Sequence, residues 1–256
     1  MKSLAIAIAL PFLATSALAV DDKGEDTKLY ELRVYHANPG KLDALHARFR
    51  EHTVALFEKH GMEQLGYFVP LDNGESNILV YWLAFDDEAA RDAAWKAFRG
   101  DADWKAAYAT STKDGKLVKK VDSTLLQATD YSPSIEKWIA GGDTRLFEWR
   151  TYTTNPGKLG DINARFRDHT CALFEKHGIR NLAYWNSLEG QEGAAVTLSY
   201  LVAHPDSDTR GKNFKAFSQD PDWQAARDAS EKGGKILIKG GVKSIELKPT
   251  DYSPRK

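Results

Sequence analysis

The chain has 256 residues, enough for one large domain or two small ones. Its 35 lysines and arginines nearly balance 36 aspartates and glutamates, so it lacks the basic excess that nucleic-acid binding demands. A hydrophobic content of 42% supports packed cores, and the single cysteine, Cys171, excludes an internal disulfide framework and a multi-cysteine metal site.

Met1-Lys2 precedes an almost wholly apolar run, Ser3 to Ser16, and the small residues of Ala17-Leu18-Ala19 follow. This pattern predicts a secretory signal over residues 1–19 with cleavage before Val20. The run is too short to span a bilayer and contains Pro11, so a cleaved leader is expected, not an anchor. No cysteine follows it to accept a lipid. The expectation is an exported protein, periplasmic or secreted, with no stable membrane span after cleavage. Asp21 to Thr27 is polar and reads as a loose leader.

Leu29 to His36 has the character of a strand, and Asn38-Pro39-Gly40 of a turn. From about Lys41 to His60 a helix is expected, because Leu42, Leu45, Phe49, Thr53, Leu56 and His60 recur on one face. Gly61 then supplies the left-handed residue that ends many helices. Leu65 to Leu71 and Ile78 to Phe85 read as strands joined through Asp72-Asn73-Gly74. A second helix is expected over Asp87 to Arg99, a further turn capped by Asp101, and a last strand over Leu117 to Gln127.

The chain then says the same thing again. Leu29 to Met62 matches Leu146 to Ile179 at 22 of 34 positions without a gap. WKAFRGDADWKAA from Trp95 is echoed by FKAFSQDPDWQAA from Phe214, and both copies close on Thr-Asp-Tyr-Ser-Pro, at 129–133 and 250–254. Such self-similarity marks a duplication. The units are placed at 28–133 and 145–254, with 134–144 as linker. Each parses as βαββαβ, which gives an α+β class of two tandem ferredoxin-like units. Each four-stranded antiparallel sheet has helices on one face only. The two open faces are expected to cover each other as an α+β barrel, within one chain as a pseudo-dimer or between chains of a homodimer. Space left between the sheets would be a ligand pocket.

Several motifs occur in order: Tyr-Glu-Leu-Arg-x-Tyr, which the second copy carries as Phe-Glu-Trp-Arg-x-Tyr, and, in both copies, Asn-Pro-Gly-Lys-Leu, Arg-Phe-Arg-x-His-Thr, Phe-Glu-Lys-His-Gly and Phe-x-x-Asp-x-x-Trp. With these the chain resembles the NIPSNAP family over most of its length. The resemblance implies the dimeric α+β barrel superfamily but no agreed catalytic activity. Haem-dependent enzymes, cofactor-free monooxygenases and plain ligand binders share that superfamily. The secretory leader departs from the mitochondrial animal members, so mitochondrial partnerships are not carried over.

Alternation along the first strand separates Tyr30, Leu32 and Val34 from Glu31, Arg33 and Tyr35. The former are expected against the helices, the latter in the barrel interior. The second copy repeats the division, with Phe147, Trp149 and Thr151 against Glu148, Arg150 and Tyr152. Glu31, Arg33, Tyr35, Glu148, Arg150 and Tyr152 are therefore the candidate ligand-binding residues. The alternative is that each Glu–Arg pair is an ion pair orienting the two units. Tyr67, Tyr81, Tyr184 and Tyr200 could add hydroxyls.

Other features point to structure. His52 and His60 stand eight residues apart on one helix, too far to share a small metal ion, and the copy repeats them as His169 and His177. His60 suits a helix terminus. Asn-Pro-Gly-Lys is not a phosphate loop, because Tyr35 and Tyr152 occupy the position of the first glycine. Cys171 aligns with Val54 and reads as a small helix residue. Trp95, Phe98 and Trp104 read as core. Nothing in these residues requires a cofactor or a metal. The expected function is non-catalytic binding of a small or lipid-like molecule, or of a protein partner. The alternative is a cofactor-free monooxygenase-like oxidoreductase, with a haem-dependent version behind it.

Overall fold

The computed structural model describes residues 26–72, 76–134 and 146–254. The expected signal at 1–19, the Asn73-Gly74 part of the first hairpin turn and residues 135–144 of the linker lie outside the described residues.

The first unit runs β1 (Leu29–Ala37), α1 (42–59), β2 (Glu63–Pro70), β3 (Ile78–Phe85), α2 (Glu88–Gly100), α3 (Ala102–Ser111) and β4 (Val118–Ala128). The second repeats it as β5 (Leu146–Thr154), α4 (159–176), β6 (Arg180–Ser187), β7 (Thr197–His204), α5 (Ser207–Gln219), α6 (Pro221–Ser230) and β8 (Leu237–Pro249). Local chemistry sets the boundaries. Asp87 caps α2 by accepting from Ala90 N at 2.7 Å, and Asp101 caps α3 by accepting from Asp103 N at 2.8 Å. Asp220 does the same for α6, where Pro221 fills the first helical position. Gly61 and Gly178 end α1 and α4 with φ of 70° and 72°.

Helix α1 departs from the regular helix expected. A π-helical turn, Phe49–Thr53, interrupts it between Leu42–Arg48 and Val54–Lys59. The Thr53 hydroxyl donates to the Arg48 carbonyl at 3.2 Å, giving that group a partner across the widened turn. The second copy has the same turn at Phe166–Thr170, with Thr170 on Arg165 at 3.1 Å.

Each unit's sheet is antiparallel, in the order β4-β1-β3-β2 or β8-β5-β7-β6. The sheets do more than face each other. β2 pairs with β8 from Phe68↔Pro249 to Pro70↔Leu247, and β4 with β6 from Leu126↔Ser187 to Ala128↔Trp185. One closed eight-stranded barrel results, built within a single chain and free of the open edges that invite aggregation.

The repeated Thr-Asp-Tyr-Ser-Pro endings explain how the units hold together. The ending of the second unit docks on the first: Tyr252 hydroxyl lies 2.7 Å from His46 Nδ1, and Arg50 clasps Asp251 at 2.6 and 2.8 Å. The ending of the first unit docks on the second, with Tyr131 donating to Asn163 at 2.8 Å and Arg167 clasping Asp130 at 2.6 Å through both nitrogens. Thr250 N and Thr129 N extend the pairing to the carbonyls of Tyr67 and Tyr184, each at 2.9 Å. The exchange is reciprocal.

Three cores follow. Leu45, Phe49, Phe57, Tyr67, Tyr81 and Phe98 belong to the layer between sheet and helices in the first unit, and Ile162, Phe166, Phe174, Tyr184, Tyr200 and Phe217 to its counterpart. Tyr30, Leu32, Val34, Phe68, Trp82, Phe147, Trp185 and Leu247 fill the barrel. This reverses the facing expected from β1 and β5. Tyr30, Leu32 and Val34 point into the barrel, as do Phe147 and Trp149, whereas Glu31, Arg33, Tyr35, Glu148, Arg150 and Tyr152 point toward the helices. The reason is electrostatic. The helices bring polar partners to that face, and the barrel lining around Tyr30, Leu32 and Val34 is almost wholly apolar.

Candidate functional site

Glu31 is fully buried. Its carboxylate accepts from Arg91 Nε at 2.8 Å and Nη2 at 3.1 Å, from Trp95 Nε1 at 2.8 Å, from Ser123 Oγ at 2.6 Å, and from Arg33 Nη1. Burial pushes the carboxyl pKa up, but the Arg91 bonds, the Arg33 charge and the Ser123 and Trp95 donors outweigh it and hold the group at about 2. Arg33 in turn donates to Tyr81 hydroxyl at 3.0 Å and lies 4.4 Å from the Trp95 ring centroid. Tyr35 meets Phe49 edge-on at 5.7 Å.

The second unit rebuilds this arrangement with one substitution of parts. Glu148 accepts from Arg210 at 2.8 and 2.6 Å, from Arg150 at 2.5 Å, and from Ser244. Phe214 replaces Trp95 and has no N–H to give. His204, which replaces Phe85, supplies the missing contact through Nε2 at 3.2 Å. Burial again opposes ionisation, and His204, Arg210, Arg150 and Ser244 together hold Glu148 well below the usual carboxylate range.

These carboxylates have their acceptor capacity filled from within the protein. Each one ties a sheet strand, β1 or β5, to a helix, α2 or α5. The Glu–Arg pairs therefore sit inside each unit and do not orient one unit on the other, which corrects the sequence-based alternative. Neither do they line the space between the sheets. A buried pair of this kind is costly to break, roughly 3–5 kcal/mol when one partner is removed.

The space between the sheets is lined by different residues. Trp82 stacks on Trp185 at 6.1 Å, Trp149 meets Trp82 edge-on at 5.9 Å, and Phe68 meets Phe147 at 4.8 Å. These rings fill much of the barrel. Beside them remains a pocket of about 280 Å³ walled by Leu32, Val34, Ile78, Trp149 and Ile245. Its polar contacts are Thr124 and, at the rim, His36 and Asp122, whose side chains are 36% and 44% exposed. His36 Nε2 lies 2.7 Å from Asp122 Oδ2. Lys120, bonded to Asp122 at 2.7 Å, holds that carboxyl below its ordinary pKa against a small burial penalty, with His36 adding to the effect. Sequence reasoning missed this pair because His36 ends a strand and Asp122 lies far along the chain. The signal was the even spacing of Leu32, Val34 and His36.

The remaining candidates fall to structure. His60 bonds Asp101 at 2.8 Å and His177 bonds Asp220 at 2.7 Å, tying the end of α1 to the cap of α3 and the end of α4 to the cap of α6. Burial pushes the Cys171 thiol up to about 12, with the Tyr184 hydroxyl opposing, so it is no nucleophile at neutral pH. Among the described residues, no group of three histidine, cysteine or acidic side chains could hold a metal, and no helix is long and apolar enough to cross a membrane.

Fold and site define an eight-stranded antiparallel α+β barrel completed by one duplicated chain. The NIPSNAP family model matches it twice, over residues 30–133 and 147–254, and the chain belongs to that family. Among solved structures, a NIPSNAP-like domain protein of Burkholderia xenovorans is 18% identical over 42% of this chain and 90% of its own, with a TM-score of 0.38. A proposed monooxygenase of Lactobacillus acidophilus matches 87% of this chain and 93% of its own at 7% identity and a TM-score of 0.54. Another proposed monooxygenase, from Fusobacterium nucleatum, matches 90% and 95% at 13% identity, also with a TM-score of 0.54. These last two share the whole two-unit fold. No curated protein matches the chain.

Proposed function

We propose that the protein is an exported, non-catalytic binder of a small apolar or lipid-like molecule, held between the two sheets. One observation carries this reading: the pocket of about 280 Å³ that the barrel rings leave open, with mostly apolar walls, Thr124 among them, and its charged groups at the rim. Such a site takes an apolar body inward and leaves a polar end beside His36 and Asp122. Native mass spectrometry of the mature protein, purified from its exported compartment, is expected to show a retained mass that denaturation releases. Val34→Phe, which fills the pocket from β1, should abolish that mass with little change in Tm. Retention unchanged by this substitution would sink the barrel as the binding place.

A second reading draws on the His36–Asp122 pair, which puts a proton acceptor beside an apolar space large enough for an aromatic ring. On that reading the protein is a cofactor-free oxidoreductase that oxidises an electron-rich phenol with dioxygen. Oxygen uptake with such phenols, lost in His36→Phe, is the measurement that would support it.

A further inference from the structure

On the other side of β1, away from the barrel, lies a second cleft of about 320 Å³ between α1, α3 and the start of β4. Arg48 forms its base and is only 5% exposed. Nη1 donates to Ser111 Oγ at 3.4 Å, and the guanidinium lies 5.2 Å from the Trp104 ring and 5.4 Å from the Tyr108 ring. No carboxylate among the described residues pairs with it. Burial disfavours its charge and lowers its pKa, while the surrounding tyrosine hydroxyls offset this in part. A buried cation without an anion is a state that folding alone does not reward.

The duplicate shows what is missing. Arg165, equally buried, has the same serine contact through Ser230 at 3.3 Å and the same indole, Trp223, at 5.2 Å. Its Nη1 also reaches Glu231 Oε1 at 3.5 Å. Glu231 occupies the place of Thr112 in the first unit. The Nε atoms of both arginines lack partners, so that trait is shared. The absent carboxylate is particular to the first unit. The charged residues that line its cleft are Arg48, Lys116, Lys119 and Lys120, with no acid among the lining, although Lys120 also bridges to Asp122. A π-helical turn follows the arginine directly, a device frequent at functional sites.

We propose that this cleft binds a small organic carboxylate with an apolar body, the carboxylate taking on Arg48 the place that Glu231 takes on Arg165. A planar carboxylate suits the guanidinium fork. Its body would lie against Tyr35, Trp104 and Tyr108, which leaves the lysines at the edge to draw the anion in. The site is on the opposite face of β1 from the barrel pocket and stands whether or not that pocket is occupied.

The test is calorimetric titration of the full chain with 2-naphthoate, and with 2-naphthamide as its neutral counterpart. Wild type is expected to bind one naphthoate and to discriminate against the amide by about tenfold or more. Thr112→Glu, which installs the internal carboxylate of the other unit, should abolish binding and raise Tm. Arg48→Met should also abolish binding with Tm kept or raised, an outcome that a purely structural arginine would not give. Glu231→Thr should raise the stoichiometry from one to two. Equal binding of acid and amide, binding that survives Thr112→Glu, or no heat at low millimolar naphthoate would each overturn the proposal. So would inorganic phosphate competing as well as naphthoate, because the apolar walls would then have no role.

Discussion

The two units keep the same clamp and differ in the same clefts. Glu31, Arg33, Tyr35, Tyr81 and Arg91 recur as Glu148, Arg150, Tyr152, Tyr200 and Arg210, with hydrogen bonds that superimpose atom for atom in kind. Around the pockets the copies part: His36 and Asp122 become Thr153 and Lys243, and Tyr108 and Thr112 become Arg227 and Glu231. The lesson is a sorting of roles. Positions whose charges must be satisfied internally stayed fixed in both halves. Positions that face open space were free to change, and among the described residues Arg48 of the first unit is left as a buried arginine without the carboxylate that its counterpart Arg165 has. The pair of halves is its own control.

The clamp should dominate stability equally in both units. Glu31→Ala and Glu148→Ala each leave two arginines without their shared carboxylate, and each is expected to cost about 3–5 kcal/mol by urea denaturation. A large difference between the two would break the equivalence. Acid should act through the same groups. Glu31 titrates at about 2 in the folded protein against 4.5 ordinarily, so its contribution is complete above that ordinary value and is lost as pH falls toward 2. The loss is about 3 kcal/mol for Glu31 at 1.36 kcal/mol per unit, seen as a falling Tm below pH 4.5, the ordinary value.

A finer prediction exploits the one exchange of parts. Trp95→Phe removes a donor from Glu31 and should cost about 1.5–3 kcal/mol. Adding Phe85→His imports the arrangement of the second unit and should restore much of that loss. A double variant no better than the single one would show that the histidine and indole are not equivalent donors. The smallest effect is expected at Cys171. Cys171→Val copies the first unit's Val54, should change stability by less than about 1.5 kcal/mol, and the native thiol should resist alkylation at pH 7.

The duplication, the element order and the pairing of two sheets were all legible in the sequence, because a repeat with Asn-Pro-Gly turns and helix-ending glycines fixes each unit separately. The facing of β1 was not. Both faces of that strand are buried, so alternation separates two sets of residues without saying which set meets the helices. The deciding clue lay elsewhere, in Arg91 and Arg210, which appear at matching places on α2 and α5 and can reach only the helix side. The edge pairing that closes the barrel was equally hidden, since it joins residues as distant as Phe68 and Pro249. Arg48 was visible as a repeated residue in the Arg-Phe-Arg motif. That it lacks an acid emerges only once Thr112 and Glu231 are set beside the two arginines.

The exchanged endings have a consequence for the history of the molecule. Each unit is finished by a clasp belonging to the other, so half of this chain expressed alone would present an unfilled seat and an unplaced tail. Two such halves would satisfy each other as identical subunits. Joining them in one polypeptide removes the requirement that the halves be identical, and so allows a symmetric ancestor to become a molecule with two different sides.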